Sequence, residues 1–244
     1  MSKLYIMKYP SVKNIHNDYF VPLEEFLKEV DKKDIVKRNG NCRSEPPSVI
    51  PVEDAKRIVA IGDIHGDFNA LLVALFKANV IDLKGYWIGG ETIVVQVGDV
   101  LDKGGRGEPE GEFTDCKDDS EWRILLFMEY LHTKAVESGG GVFLLLGNHE
   151  IMNFSGDTRY TTAATLAYFG GVEGRREAFK RGGIIATKIA CMTNTVMRIG
   201  NWVFAHAGIT PEIMKHYSAI EDINSDVRSY ILGNIEMDAT ASKR

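Results

Sequence analysis

Four short stretches of the chain set carboxylate, amide and imidazole side chains beside glycine: GDIHG (Gly62–Gly66), GDVLDKG (Gly98–Gly104), GNHE (Gly147–Glu150) and FAHAG (Phe204–Gly208). Asp63, His65, Asp99, Asp102, Asn148, His149 and His206 are the side chains in them with chemistry to offer. Oxygen and imidazole donors in this mixture suit a borderline ion such as Mn, Fe or Zn. A pair of such ions needs one shared carboxylate and several terminal ligands, and the four stretches together supply that. Taken singly three of them have a plainer reading, while GNHE resists one, because Asn and His side by side after five apolar residues serve no packing purpose. Aspartate and glycine favour turns in any case, and one histidine after an apolar run reads as a buried, hydrogen-bonded side chain.

The elements around these stretches explain why the four belong together. Ile58–Ile61 reads as a short buried strand, and Phe68, Leu71, Leu72, Leu75 and Phe76 follow at helical spacing. Asp63 and His65 thus fall on a turn from strand to helix, with Asp67 placed to cap that helix. Ile93–Val97 and VFLLL from Val142 are further apolar strands, ending in GD and GNHE. Between them a helix starts near Ser120, with Ile124, Met128, Leu131 and Ala135 on one face, and Gly139–Gly141 stop it. NTVMRIGNWVFAHAGI reads as a hairpin turning at Gly200-Asn201, whose second strand delivers His206. Parallel strands end on one edge of a sheet, so clusters at their exits converge.

Bulk properties narrow the class. The 244 residues suit one large domain, with 44% apolar and 26% charged residues in the ordinary globular range. A net charge of −5 argues against a general nucleic-acid binder, and no window is long and apolar enough for a membrane span or signal peptide. Cys42, Cys116 and Cys191 are odd in number and scattered, which suggests no disulfide framework and no zinc ribbon and makes a reducing cytosol the default. None has an arginine six positions on, which disfavours a cysteine-nucleophile phosphatase. Residues 1–50 carry no chemical motif and read as an N-terminal extension, with an amphipathic helix starting at Pro22 and a linker over Ser44–Pro51; residues 51–244 form the domain, closing on a polar tail.

The ordered set GDIHG, GDVLDKG, GNHE and HAGITPE (His206–Glu212) resembles the signature of the phosphoprotein phosphatase group of calcineurin-like metallophosphoesterases. GGVEGRREAFKRGGIIATKIA followed by WVFAHAGITPE resembles the Shewanella-like protein phosphatase branch, and the likeness runs from about Arg57 to Gly233. It implies an α/β fold, a four-layer α/β/β/α sandwich, with a two-metal centre. Position by position, Asp63 and His65 would bind one ion, Asp99 would bridge, and Asn148 and His206 would bind the other. His149 would be the general acid, oriented by Asp102, for attack by a hydroxide held between the metals. The implied enzyme is a serine/threonine protein phosphatase acting on a phosphorylated protein or peptide, with a cytoplasmic location as the default set by the cysteines.

Two departures stand out. Lys103 replaces a usual arginine, offering phosphate a point charge in place of a flat fork. Leu146 stands where many eukaryotic members have another arginine, with Arg175 and Arg176 as candidate replacements against the plainer reading of a solvated helix face. The family also carries a later histidine, in a segment resembling GHT, and no histidine follows His216 here. Either the chain is truncated relative to the family or its second ion has one ligand fewer. Two alternatives therefore stay open. One is a dinucleoside polyphosphate hydrolase, toward which HAGI leans while Glu150 and Asp102-Lys103 lean away. The other is a catalytically impaired binding or regulatory module. The acids from Glu108 to Asp119 read as a solvated loop, with a bias of the entrance toward basic phosphopeptides as the sharper expectation.

Overall fold

The computed structural model describes residues 3–7, 42, 44–51, 53, 55–104 and 118–235. Within these, strands β1 (Lys3–Met7), β3 (Arg57–Ile61), β4 (Thr92–Gln96), β5 (Gly141–Leu145) and β6 (Thr193–Asn194) form a five-stranded sheet in the order β1-β3-β4-β5-β6, with every neighbouring pair parallel. A second sheet has the order β2-β7-β8, from β2 (Val49–Ile50), β7 (Val196–Ile199) and β8 (Trp202–Ala205). β2 joins β7 in parallel, and β7 and β8 are the antiparallel hairpin expected around Gly200-Asn201.

Strand periodicity sorts the apolar side chains into two cores. In β5, Val142 and Leu144 pack with helices α1 (Phe68–Lys77), α2 (Ser120–Glu137) and α6 (Ile184–Met192), while Phe143 and Leu145 face Met197, Ile199 and Phe204 of the second sheet. β3 and β4 split the same way, with Val59 and Val94 on the helical side and Ile58, Ile93 and Val95 on the other. A sheet buried on both faces explains why its strands read as continuous apolar runs. The class is thus a mixed α/β sandwich.

The remaining helices are α3 (Asn148–Phe154), α4 (Ala163–Tyr168), α5 (Val172–Phe179), α7 (Pro211–His216) and α8 (Ile220–Ile231). Asp67 caps α1 as expected, its carboxylate accepting the Ala70 N–H at 2.9 Å. No helix among the described residues is long and apolar enough to cross a membrane.

The N-terminal segment is more integrated than its sequence suggests. β1 pairs with β3 along its length, and β2 lies within the stretch read as a linker. That stretch is pinned: Asn194 donates to the Pro46 and Pro47 carbonyls, Arg228 pairs with Glu45 at 2.8 Å, and Asn224 donates to Ser48. The cysteine reading also needs correction. Cys42 and Cys191, 149 residues apart, form a disulfide with a Cα–Cα distance of 5.3 Å. Spacing could not reveal a pair that only the fold brings together, and the expectation of a reducing compartment loses its basis. The helix expected from Pro22, the polar tail and most of the acidic loop lie outside the described residues.

Candidate metal centre

Three turns at strand exits are stitched into one rim, two by backbone hydrogen bonds and the third through the Glu150 carboxylate. The N–H groups of Ile64 and His65 both donate to the Asp99 carbonyl at 3.0 Å, and Gly66 donates to Val100 at 2.7 Å. From the start of α3, the Glu150 carboxylate accepts the N–H groups of Gly147 (2.7 Å), Asp99 (2.9 Å), Val100 (2.9 Å) and Leu101 (3.1 Å). Burial pushes this carboxyl above its usual range, against the pull of those backbone donors. The turns are strained. His65, Asp99 and Asp102 have φ of 47°, 55° and 65°, in the left-handed region that non-glycine residues avoid. Such conformations persist where surrounding contacts over-determine them, and they cluster at sites of function. The turns also press together: a Cβ on Gly147 would strike the Asp99 carboxylate, which is why that position takes glycine.

The side chains expected at the centre converge on Asp99. Asp63, Asp99 and His206 each offer a ligand atom within 4.8 Å of the others, and so do His65, Asp99 and His149. Asp99 belongs to both groups. Its Oδ2 lies 3.3 Å from His206 Nε2 and 3.9 Å from His65 Nε2, and Asn148 Oδ1 lies 3.0 Å from His206 Nε2. Asp63 spans the two histidines, 3.9 Å from each.

The donor types of this set fit cations. His65 Nδ1 lies 3.0 Å from the Leu101 carbonyl and His206 Nδ1 lies 3.0 Å from the Val97 carbonyl. A carbonyl only accepts, so each Nδ1 carries a proton, and in the neutral ring each Nε2 is then the nitrogen free to act as a ligand. In that form the two Nε2 atoms and the oxygens of Asp63, Asp99 and Asn148 make a set of lone-pair donors of the kind a cation takes. An outward N–H held by a carbonyl is also how metal-binding histidines are oriented.

His149 sits beside this cluster on α3. Its Nδ1 donates to Asp102 Oδ2 at 2.8 Å, leaving Nε2 toward the rim, and its ring meets those of His65 and Tyr160 at 4.8 and 5.1 Å between centroids. Asp102 is enclosed. Its Oδ2 also accepts from Asn153 (3.0 Å), and its Oδ1 accepts from Thr161 (2.8 Å) and Arg175 (3.4 Å). Its own N–H donates to Glu121 at 2.8 Å. Burial pushes the Glu121 carboxyl up, against the opposing pull of Arg175.

The residues expected to hold substrate fare differently. Asn148 lies at the rim, as described. Lys103 follows Asp102 directly, but its ammonium is engaged by Asp118 at 2.8 Å. Arg175 corrects the expectation most clearly: it has no exposed surface, and its guanidinium points into the protein toward Glu121, Asn153 and Asp102. Arg176 does lie on a solvated face, donating to the Gly156 carbonyl and pairing with Glu173 at 2.7 Å. Leu146 is buried in the helical core, and His216 is exposed at the end of α7.

Sequence reasoning missed Glu121, Glu150, Asn153 and Thr161 as parts of the site. Two of them left a signal. Glu121 precedes Ile124, Met128 and Leu131 on the apolar face of α2, where a charge needs a partner, and Asn153 follows His149 by one helical turn.

A family model for calcineurin-like phosphoesterases matches residues 56–233, the span that holds every residue of this rim. The chain belongs to this family. Among its curated relatives, Shewanella-like protein phosphatase 2 of Arabidopsis thaliana is 33% identical over 223 residues, covering 74% of this chain and 53% of the relative. Shewanella-like protein phosphatase 1 of Plasmodium berghei is 29% identical over 180 residues, covering 73% and 45%. A solved structure with the same fold is the cold-active protein-tyrosine phosphatase of a psychrophilic Shewanella species, with a TM-score of 0.62 at 26% identity over 80% of this chain and 54% of that one. The chain thus spans about half the length of the relatives it matches. The calcineurin-like assignment agrees with the donor set: a phosphoesterase of this kind is metal-dependent, and the cluster around Asp99 is where ions fit.

Proposed function

We propose that this calcineurin-like chain is a metal-dependent phosphomonoester hydrolase acting on phosphoproteins, with phosphoserine or phosphothreonine as its substrate. Asp63, His65, Asp99, Asn148 and His206 would hold two cations, Mn, Fe or Zn by donor type. When bound, such ions acidify water and draw charge from phosphoryl oxygens.

The chain's own residues handle the leaving group. Asp102 accepts a hydrogen bond from the Nδ1–H of His149, so a second proton on that ring must sit on Nε2, the nitrogen toward the rim. His149 Nε2–H then donates to the bridging ester oxygen as the P–O bond breaks, so the alcohol leaves neutral. A seryl alkoxide is a far poorer leaving group than a tyrosyl phenoxide, whose parent phenol has a pKa of about 10. A proton donor held this firmly is what an alkyl phosphate demands, and the His149–Asp102 pair is the single observation that carries the serine/threonine reading. The Shewanella-like protein phosphatase names of the curated relatives support a protein substrate.

One observation favours a second reading: the solved neighbour is named a protein-tyrosine phosphatase. The test is phosphate release by the Mn²⁺-loaded protein from two peptides that differ only in carrying phosphoserine or phosphotyrosine. Faster release from phosphoserine, lowered by about 10²–10⁴-fold in His149→Ala, supports the proposal. Preference for phosphotyrosine replaces it with the second reading, and no release from any phosphoester overturns both.

A further inference from the structure

We propose that Arg175 is a positioning residue for proton donation, acting through Asp102 on His149. This rests on the reading of His149 as the proton donor. Arg175 has no exposed surface, so it cannot meet a substrate, yet each of its hydrogen bonds ends on the surroundings of one carboxylate. Nη2 reaches Asp102 Oδ1 at 3.4 Å. Nη1 donates to Glu121 Oε2 at 2.8 Å, and the other oxygen of Glu121 holds the Asp102 N–H. Nε donates to Asn153 Oδ1 at 2.8 Å, which turns the Asn153 amide so that its NH₂ group donates to Asp102 Oδ2 and to the His149 carbonyl. Thr161 supplies the remaining contact to Oδ1.

The guanidinium is also held by aromatic packing. It packs against the rings of Phe179 and Phe169, with Cζ at 4.5 and 5.2 Å from their centroids, and both rings come from the same helical region as Arg175. Three donors in a rigid fork therefore set the side chain of Asp102, its backbone and the amide beside it. Asp102 stands at φ 65° and depends on such contacts to keep its carboxylate aimed at His149. A lysine here would keep the charge but could not span the three partners.

The experiment compares Arg175→Lys and Thr161→Val with the parent in two ways. In the first, ¹⁵N-histidine-labelled protein without added metal reports the His149 Nδ1–H resonance, which lies downfield while the proton is held by Asp102. In the second, Mn²⁺-loaded protein acts on a phosphoserine peptide and on p-nitrophenyl phosphate, whose leaving group needs no proton. We expect Arg175→Lys to move the resonance upfield and to lower kcat on the peptide by about 10–100-fold, by analogy with the partners that orient metal-ligating side chains. KM should stay unchanged, and the loss on the aryl ester should be smaller. Thr161→Val removes one donor and leaves Arg175 in place, so it should shift both readouts the same way by less; it carries the test if Arg175→Lys does not fold. A raised KM with unchanged kcat, or equal losses on both substrates with an unmoved resonance, overturns the proposal. A parent protein inactive on every phosphoester would overturn the proposed function instead, and the resonance would still decide whether Arg175 positions His149.

Discussion

His149 donates its Nδ1 proton to Asp102 at 2.8 Å, with the two side chains only 4% and 0% exposed. In so dry a setting the pair keeps one geometry, and the ring cannot turn its Nε2 away from the rim without breaking a charge-assisted bond.

His149→Ala should therefore lower kcat on a phosphoserine peptide by about 10²–10⁴-fold, the usual contribution of general acid catalysis, and by less on p-nitrophenyl phosphate. Its affinity for Mn²⁺ should be little changed. Since His149 also lies within reach of His65 and Asp99, the alternative is that it binds metal. A variant that loses Mn²⁺ together with activity would make it a ligand.

Gly147→Ala should displace Asp99, because the added methyl falls on its carboxylate and its backbone nitrogen. Overpacking of this kind costs about 1–3 kcal/mol. The expected result is a lower thermal midpoint together with weaker Mn²⁺ binding. Unchanged metal affinity in the variant would show that the close approach of the two turns does not set the position of Asp99.

Asp118 links stability to pH. Partial burial alone would raise its carboxyl, but hydrogen bonds from Lys103 and Ser120 outweigh that and hold it below its ordinary value of 3.8. A carboxyl lowered in the folded state adds stability that is complete above the unfolded value and drains as pH falls through the folded one. Asp118→Asn should thus be less stable than the parent at neutral pH, with the gap closing as pH falls below the ordinary aspartate value and on through the lowered one. Urea midpoints across that range measure it; a gap that stays constant would contradict the assignment.

What could be read from the sequence was the edge of the larger sheet. Apolar runs such as Ile58–Ile61 and Val142–Leu146 stop abruptly at polar residues, and local periodicity suffices to place Asp63, Asp99 and Asn148 at strand exits. The support behind them was not legible, because it depends on long-range partners. α5 carries Glu173, Arg175, Arg176 and Glu177 in one stretch and reads as a solvated helix, so Arg175 looked available to substrate. Only the fold brings Glu121, 54 positions away, and Asp102, 73 positions away, to bury it. β1 was hidden for a related reason: five residues far from the next strand carry no mark of the sheet they join. The Cys42–Cys191 pair was equally invisible at 149 positions.

The central claim is that one carboxylate, Asp99, serves two cations at this rim. Equilibrium dialysis of the protein against Mn²⁺, with Asp99→Ala alongside, tests it most directly. The account predicts two ions bound per chain and weakened binding of both in the variant. A protein that binds no Mn²⁺, or a variant that binds both ions as tightly as the parent, would contradict it.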